Sequence, residues 1–414
     1  MNNYTIILII MALMISASAI AEKIKIPVPV LLILVGIAVG IMPAMPEMEL
    51  SPEIVMLIFL PPLLYDAAFN ISLQDFKTNM NTISALAIGL VFMTTAGIAV
   101  AAHYLIPGMT WPVSFVLGAI LSATDAVAAI GITKGLGLSH KTSTILEGES
   151  LVNDASALVA YHFAVAAVTG VAFVFWKAFL NFMFVLGGGF LIGLLISWLM
   201  GYVLRYFRSN DMFIISLTLL MPFVAYLVAE HFKVSGVIAV VRFGLGMSWL
   251  SREKFPDRLK AQSRNFWEVI IFLLNGLIFV LIGLQFPIVL KKMEPAKVWS
   301  YVGYAAIITI VAFAIRLGRV YWQQISLLRA FQGKRKVSEE ALYDSKTSLI
   351  ISWSGMRGIV SLAIAIGLPT ILEDGTAFPM REDIIFLSIA VVLFSLIGQG
   401  FSLPWIVKKV NSKK

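Results

Sequence analysis

The chain has 414 residues, 59% hydrophobic and 13% charged, with a mean hydropathy of +0.92, which excludes a water-soluble globular protein and points to a polytopic membrane protein. It has no cysteine, so disulfides and thiolate metal sites are excluded. Its four histidines, His103, His140, His162 and His231, lack metal-ligand spacing, which leaves a zinc hydrolase without ligands.

Apolar windows of about 20 residues, the length that crosses a bilayer, fall at 4–21, 27–45, 52–71, 82–106, 112–134, 143–173, 177–207, 211–230, 234–250, 265–290, 298–328, 347–371 and 384–407. The first has no basic segment before it and reads as a retained span, although Ala17-Ser18-Ala19 has the form of a cleavage site. The odd number of spans puts the termini on opposite faces. Lys177, Lys233, Lys291, Lys292, Lys297 and Arg381 fall on one face; Arg242, Arg316, Arg319 and Arg357 lie in or at the edge of spans; every other Lys and Arg falls on the opposite face. The positive-inside rule then places the N-terminus outside and the C-terminus in the cytoplasm of a multi-pass cell-membrane protein. That distribution accounts for the net charge of +8 without nucleic acid. Only the connections 251–264 and 329–346 are long, so no soluble domain interrupts the bundle.

Two spans do not read as plain helices. Leu121-Ser122-Ala123-Thr124-Asp125-Ala126 places small polar residues and an acid in mid-span, and Ser352-Trp353-Ser354-Gly355-Met356-Arg357-Gly358 does so with two glycines and a base. Unwinding at membrane depth is tolerated only where the freed backbone groups are buried in protein or line a cavity. One such segment in each half is the placement expected of inverted-repeat transporters; no residue-level repeat accompanies it.

Ionisable side chains in hydrocarbon are costly and mark function. Asp125 and Asp154 flank a loop near Leu138, so their spans are antiparallel neighbours. At the rise of a helix they lie roughly 20 Å and roughly 24 Å from that loop, at similar depth near the bilayer centre. On the second helix Glu149 and Asn153, and Ser150 and Asp154, are four residues apart and share one face. Carboxylate, amide and hydroxyl oxygens opposite a second carboxylate and an unwound backbone make a site for hard cations. Desolvation penalises the charged carboxylate, so one Asp holds a proton or a cation, not both. If the site reorients only when neutralised, the two fluxes are opposed. No nucleotide is required, and no Walker motif is present.

The other acids carry weaker expectations. Asp66, near the inner end of its span, is either a vestibule ligand or an interfacial anchor, and Glu147 lies close enough to the inner end to meet water. Glu149 is expected to pair with an arginine, since buried acids are usually paired. Arg357 is placed to meet the carbonyls at a half-helix C-terminus. Glu268 and Asn275 read as interhelical hydrogen-bonding residues.

Ala123-Thr124-Asp125, Glu147-Gly148-Glu149-Ser150-Leu151-Val152-Asn153-Asp154 and Trp353-Ser354-Gly355-Met356-Arg357-Gly358 resemble three signatures of the sodium/proton exchangers of the monovalent cation:proton antiporter-1 family. Phe59-Leu60-Pro61-Pro62-Leu63-Leu64, Ser235-Gly236-Val237 and Leu274-Asn275-Gly276-Leu277-Ile278-Phe279 extend the resemblance over nearly the whole membrane region. It implies an all-α fold of about 13 spans, with inverted repeats and two crossed unwound helices. It also implies a core (82–173 and 298–407), a dimerisation scaffold (1–71 and 177–290) and a homodimer. Asp154 would carry cation and proton, with Asp125, Thr124 and Ser150 completing the Na⁺ site. Asn153 matches the electroneutral branch, and either Arg357 or Arg316 would pair with Glu149. Two positions depart from the pattern: Asp66 stands where Glu is common, and Arg242 where the family has a small or apolar residue.

The resulting expectation is Na⁺(Li⁺)/H⁺ antiport, with cation and proton competing for Asp154 and no cofactor, nucleotide or nucleic-acid partner. The alternatives are K⁺/H⁺ antiport and an uncoupled cation channel. No nucleophile–base pair supports an enzyme.

Overall fold

The computed structural model describes residues 3–24, 26–42, 52–71, 73–133, 136–169, 175–206, 210–332, 342–372 and 375–411. Lys25, Lys134, Arg208 and the basic residues at 334–336 and 413–414, all assigned above to the inner face, lie outside the described residues. So do residues 43–45, 134, 170–173 and 207 at the ends of four predicted spans.

The chain is helical almost throughout. It runs α1 (Asn3–Ile24), α2 (Val28–Gly40), α3 (Pro52–Asn70), α4 (Leu73–Thr78), α5 (Met80–Ser84), a π-helical segment (Ala85–Leu90), α6 (Val91–Leu105), α7 (Trp111–Ser122), α8 (Ala126–Thr133) and α9 (His140–Val168). It continues with α10 (Phe175–Tyr206), α11 (Asp211–His231), α12 (Gly236–Lys254), α13 (Asp257–Lys292), α14 (Pro295–Gln332), α15 (Ser345–Trp353), α16 (Ile359–Ile366) and α17 (Arg381–Asn411). Every predicted span coincides with a helix or a broken helix. Among the described residues, seven helices are long and apolar enough to cross a membrane, and Leu8–Ala21, Val28–Gly40, Ile54–Asn70 and Trp111–Ser122 are shorter apolar helices. Helix is the natural answer to this composition, since hydrocarbon offers no partner to an open backbone group. Side chains set several helix starts: Ser139, Asn210, Ser235 and Asp344 accept from the N–H groups of Thr142, Phe213, Ile238 and Thr347.

The chain divides into two compact units, Met1–Pro52, Phe76–Val171 and Asn275–Lys414 in one, and Glu53–Asp75 and Ala172–Leu274 in the other. These units partition the chain differently from the expected core and scaffold segments, because residues 1–52 and 275–290 fall with the first. Close packing is one reason: a Cβ at Gly36 on α2 would meet the Gly283 Cα on α13 at 2.8 Å, the intimate backbone approach that small residues permit in membranes. Within the first unit Leu86, Leu90, Ala126, Ile145, Leu146, Val320, Leu327, Tyr343 and Ile351 form an apolar cluster joining the π-helical segment, α8, α9, α14 and α15.

In the second unit, Tyr65 on α3 stacks with Phe69 and Phe243, ring centroids 5.6 and 5.5 Å away, and tilts against Trp267 at 4.8 Å. Asp66 belongs to this unit, where its Oδ1 accepts from Asn70 Nδ2 at 3.0 Å. Arg242, unexplained by sequence, lies with its guanidinium 5.2 Å from the Phe190 ring centroid, a cation–π contact that offsets part of its desolvation. Glu268 departs from expectation. Its exposed carboxylate accepts from Arg264 Nε at 3.0 Å within α13, the neighbour that helical spacing supplies.

Candidate functional site

The two segments expected to unwind do so. Ala123 is extended (φ −64°, ψ 139°) after α7, and helix resumes at Ala126. The second break covers 354–358, with Gly358 at φ −141°, ψ −147°. The breaks meet inside the first unit. Asp125 N–H donates to Met356 C=O at 2.8 Å, Ser361 Oγ to Ala123 C=O at 3.3 Å, and Arg357 N–H to Ser395 Oγ on α17 at 3.0 Å. Freed backbone groups are thus satisfied within the protein, as membrane depth requires.

Glycine permits this meeting. A Cβ at Gly358 would overlap the Asp125 side chain, and one at Gly355 would overlap the Arg316 guanidinium. If Asp125 serves the ion exchange expected from the sequence, Gly358→Ala, which must displace it, should cut that exchange about tenfold or more with helix content unchanged, as measured by proteoliposome exchange beside circular dichroism.

α9 brings the remaining polar groups to the meeting point. Ser150 Oγ donates to Thr124 C=O at 3.1 Å and accepts from Ala126 N–H at 3.4 Å. Asn153 Nδ2 donates to Thr124 Oγ1 at 2.6 Å, and Thr124 Oγ1 donates to Glu149 Oε1 at 3.3 Å. Asp125 Oδ1 accepts from Ala128 N–H at 3.1 Å, an N-cap on α8. Asp154 is buried, and its Oδ1 and the Oδ1 of Asn153 have no hydrogen-bond partner among the described residues. Thr124, Glu149, Ser150 and Asn153 are therefore joined by hydrogen bonds, with Asp125 next to Thr124 and Asp154 next to Asn153 in the chain, whereas Asp66 belongs to the second unit.

Of the two arginines that could pair with Glu149, Arg316 does so. Its Nη1 meets Glu149 Oε1, and its Nη2 donates to Oε2 at 2.9 Å. Arg316 Nε and Nη2 also donate to Ile351 C=O at 3.1 and 2.9 Å, near the C-terminal end of α15. Arg316 thus takes the carbonyl-capping task expected of Arg357, because α14 carries its guanidinium between α9 and α15. Arg357 is buried and contributes its backbone N–H; its guanidinium makes no hydrogen bond or ion pair among the described residues.

The family described as sodium/hydrogen exchanger, transmembrane, matches residues 8–409. The chain belongs to the sodium/hydrogen exchanger family. A relative from Escherichia coli (strain K12), named as the uncharacterised Na⁺/H⁺ exchanger YjcE, is 34% identical over 91% of this exchanger and 71% of its own length. A sodium, potassium, lithium and rubidium/H⁺ antiporter from Bacillus pumilus (strain SAFR-032) is 34% identical over 91% of this exchanger, which spans 57% of that relative. The structure of the sodium proton antiporter MjNhaP1 from Methanocaldococcus jannaschii at pH 8 superposes with a TM-score of 0.71 at 20% identity, covering 97% of both chains. The exchanger shares its fold.

Sequence reading missed the exchanger's α17 contacts. Trp353 Nε1 donates to Ser402 Oγ at 2.7 Å, and Ser395 Oγ donates to Gln399 Oε1 at 2.7 Å. The spacing of Ser388, Ser395 and Ser402, seven residues apart, puts them on one helix face and was the available signal.

Proposed function

We propose that this chain exchanges Na⁺ or Li⁺ for H⁺ across the cell membrane, electroneutrally, with Asp154 as the shared carrier. The observation that carries this reading is the pair of buried oxygens, Asp154 Oδ1 and Asn153 Oδ1, that have no hydrogen-bond partner among the described residues, beside two broken helices. With Asp125, Ser150 and Thr124 they make an all-oxygen donor set suited to a hard cation. Glu149 is committed to Arg316 and one Asp125 oxygen to the Ala128 N–H, which supports Asp154 as the carboxylate that exchanges. The part containing 82–173 and 298–407 carries the site; 1–71 and 177–290 form the scaffold of a homodimer. The N-terminus faces outward and the C-terminus the cytoplasm. A second reading, K⁺/H⁺ exchange, is favoured by the potassium in the printed name of the Bacillus pumilus relative; all-oxygen ligands serve both ions.

Proteoliposomes carrying an imposed pH gradient should lose it when Na⁺ is added, without net current, and titration with Na⁺, Li⁺ and K⁺ ranks the substrates. Uncoupled current would assign a channel instead. Competition for one carboxyl has a definite sign: protonation removes the cation's ligand, so apparent Na⁺ affinity weakens about tenfold per pH unit below the site's pKa and levels off above it. A flat affinity between pH 5 and pH 9 overturns the shared-carrier mechanism.

A further inference from the structure

We propose that Ser395, supported by Gln399, is a positioning residue for Asp125 and acts through the Met356–Arg357 peptide group. The proposal rests on the reading of Asp125 as part of the exchange site. Met356 C=O accepts the Asp125 N–H at 2.8 Å, and the N–H of the same peptide group, that of Arg357, donates to Ser395 Oγ at 3.0 Å. Ser395 Oγ in turn donates to Gln399 Oε1 at 2.7 Å. The carbonyl and the N–H of one planar peptide point in opposite directions, so two partners on opposite sides fix its orientation. The result is a continuous chain from the Asp125 backbone across the second break to α17, in which each bond polarises the next.

The break leaves this peptide without helical neighbours to orient it, so Ser395 does what an intrahelical bond does elsewhere. Ser395 is 3% exposed, so no bulk water stands ready to replace its hydroxyl. Seven residues on, Ser402 accepts from Trp353 Nε1 at the end of α15. The same face of α17 therefore holds the broken helix at two points, the end of α15 and the peptide itself.

A hydroxyl that only held α17 in place would alter stability and leave cation binding alone; one that positions Asp125 must alter cation binding. The test is Na⁺-dependent exchange by the reconstituted full chain as wild type, Ser395→Ala, Ser395→Thr, Gln399→Leu and Asp125→Asn, with thermal unfolding of each. Ser395→Ala should raise the apparent KM for Na⁺ about tenfold and lower the maximal rate less. Gln399→Leu should raise KM by a smaller factor, and Ser395→Thr, which keeps the hydroxyl, should stay near wild type. A folded Ser395→Ala with wild-type KM overturns the proposal, and if that variant does not fold, Gln399→Leu decides in the same way. Wild-type exchange by Asp125→Asn would instead defeat the site reading itself. Loss of exchange in Asp125→Asn with unchanged KM in Ser395→Ala defeats only the role given to Ser395.

Discussion

Asp154→Asn is expected to abolish Na⁺-dependent proton exchange, by at least about a hundredfold, while leaving the protein folded. Asn has nearly the volume of Asp, so packing around α9 should survive. What is lost, on the proposed assignment, is the carboxyl that alternates between a proton and a cation. Its Oδ1 makes no hydrogen bond among the described residues, so the substitution breaks little that holds the fold. Exchange in proteoliposomes and thermal unfolding, measured on the same preparation, separate the two effects. Asp154→Glu keeps the charge but moves it by a methylene, and it should retain a measurable fraction of transport with altered preference among Na⁺, Li⁺ and K⁺. Substantial exchange by Asp154→Asn would move the carrier role to another acid.

Arg316→Ala should be strongly destabilising, costing about 3–5 kcal/mol. The pair is almost wholly enclosed, with side-chain exposures of 2% on both partners. Removing the guanidinium strands the Glu149 carboxylate and leaves Ile351 C=O without the two donors it now has. Arg316→Lys should rescue poorly, because an ammonium is a point charge that cannot reproduce a planar fork reaching a carboxylate and a carbonyl together. The double variant Glu149→Gln with Arg316→Met should be more stable than Arg316→Ala, since no isolated charge remains. Thermal unfolding of the single and double variants checks this ordering. If Arg316→Ala unfolds like wild type, the ion pair does not brace the site.

The transmembrane pattern and both helix breaks were legible because their signals are local. Glycines, small polar residues and an acid within an apolar window stand out from one sequence, and four-residue spacing put Ser150 with Asp154. The choice between Arg316 and Arg357 was not legible. The Arg316–Glu149 contact joins residues 167 positions apart, and which arginine reaches the acid depends on how α14 packs against α9 and α15. Ser395 escaped notice for another reason: a serine in an apolar helix usually bonds back to its own turn. Its partner was visible only once the second break had an orientation. The membership of α1 and α2 in the first unit was likewise hidden, because an apolar helix carries little mark of which neighbour it chooses.

Asp125 enters the site with part of its capacity already committed. One carboxylate oxygen holds the first turn of α8, through Ala128 N–H at 3.1 Å, while Gly358 stands so close that even a methyl group would collide with the carboxylate. With Oδ1 so engaged, the natural contribution of Asp125 to a bound cation would be its other oxygen. On the proposed assignment the coordination sphere would be lopsided, with Asp154 and Asn153 on α9 supplying ligands whose Oδ1 atoms make no hydrogen bond among the described residues, and Asp125 a fixed one. Ionic radius would then be discriminated on the α9 side, where ligands can follow the ion, more than on the side anchored to α8.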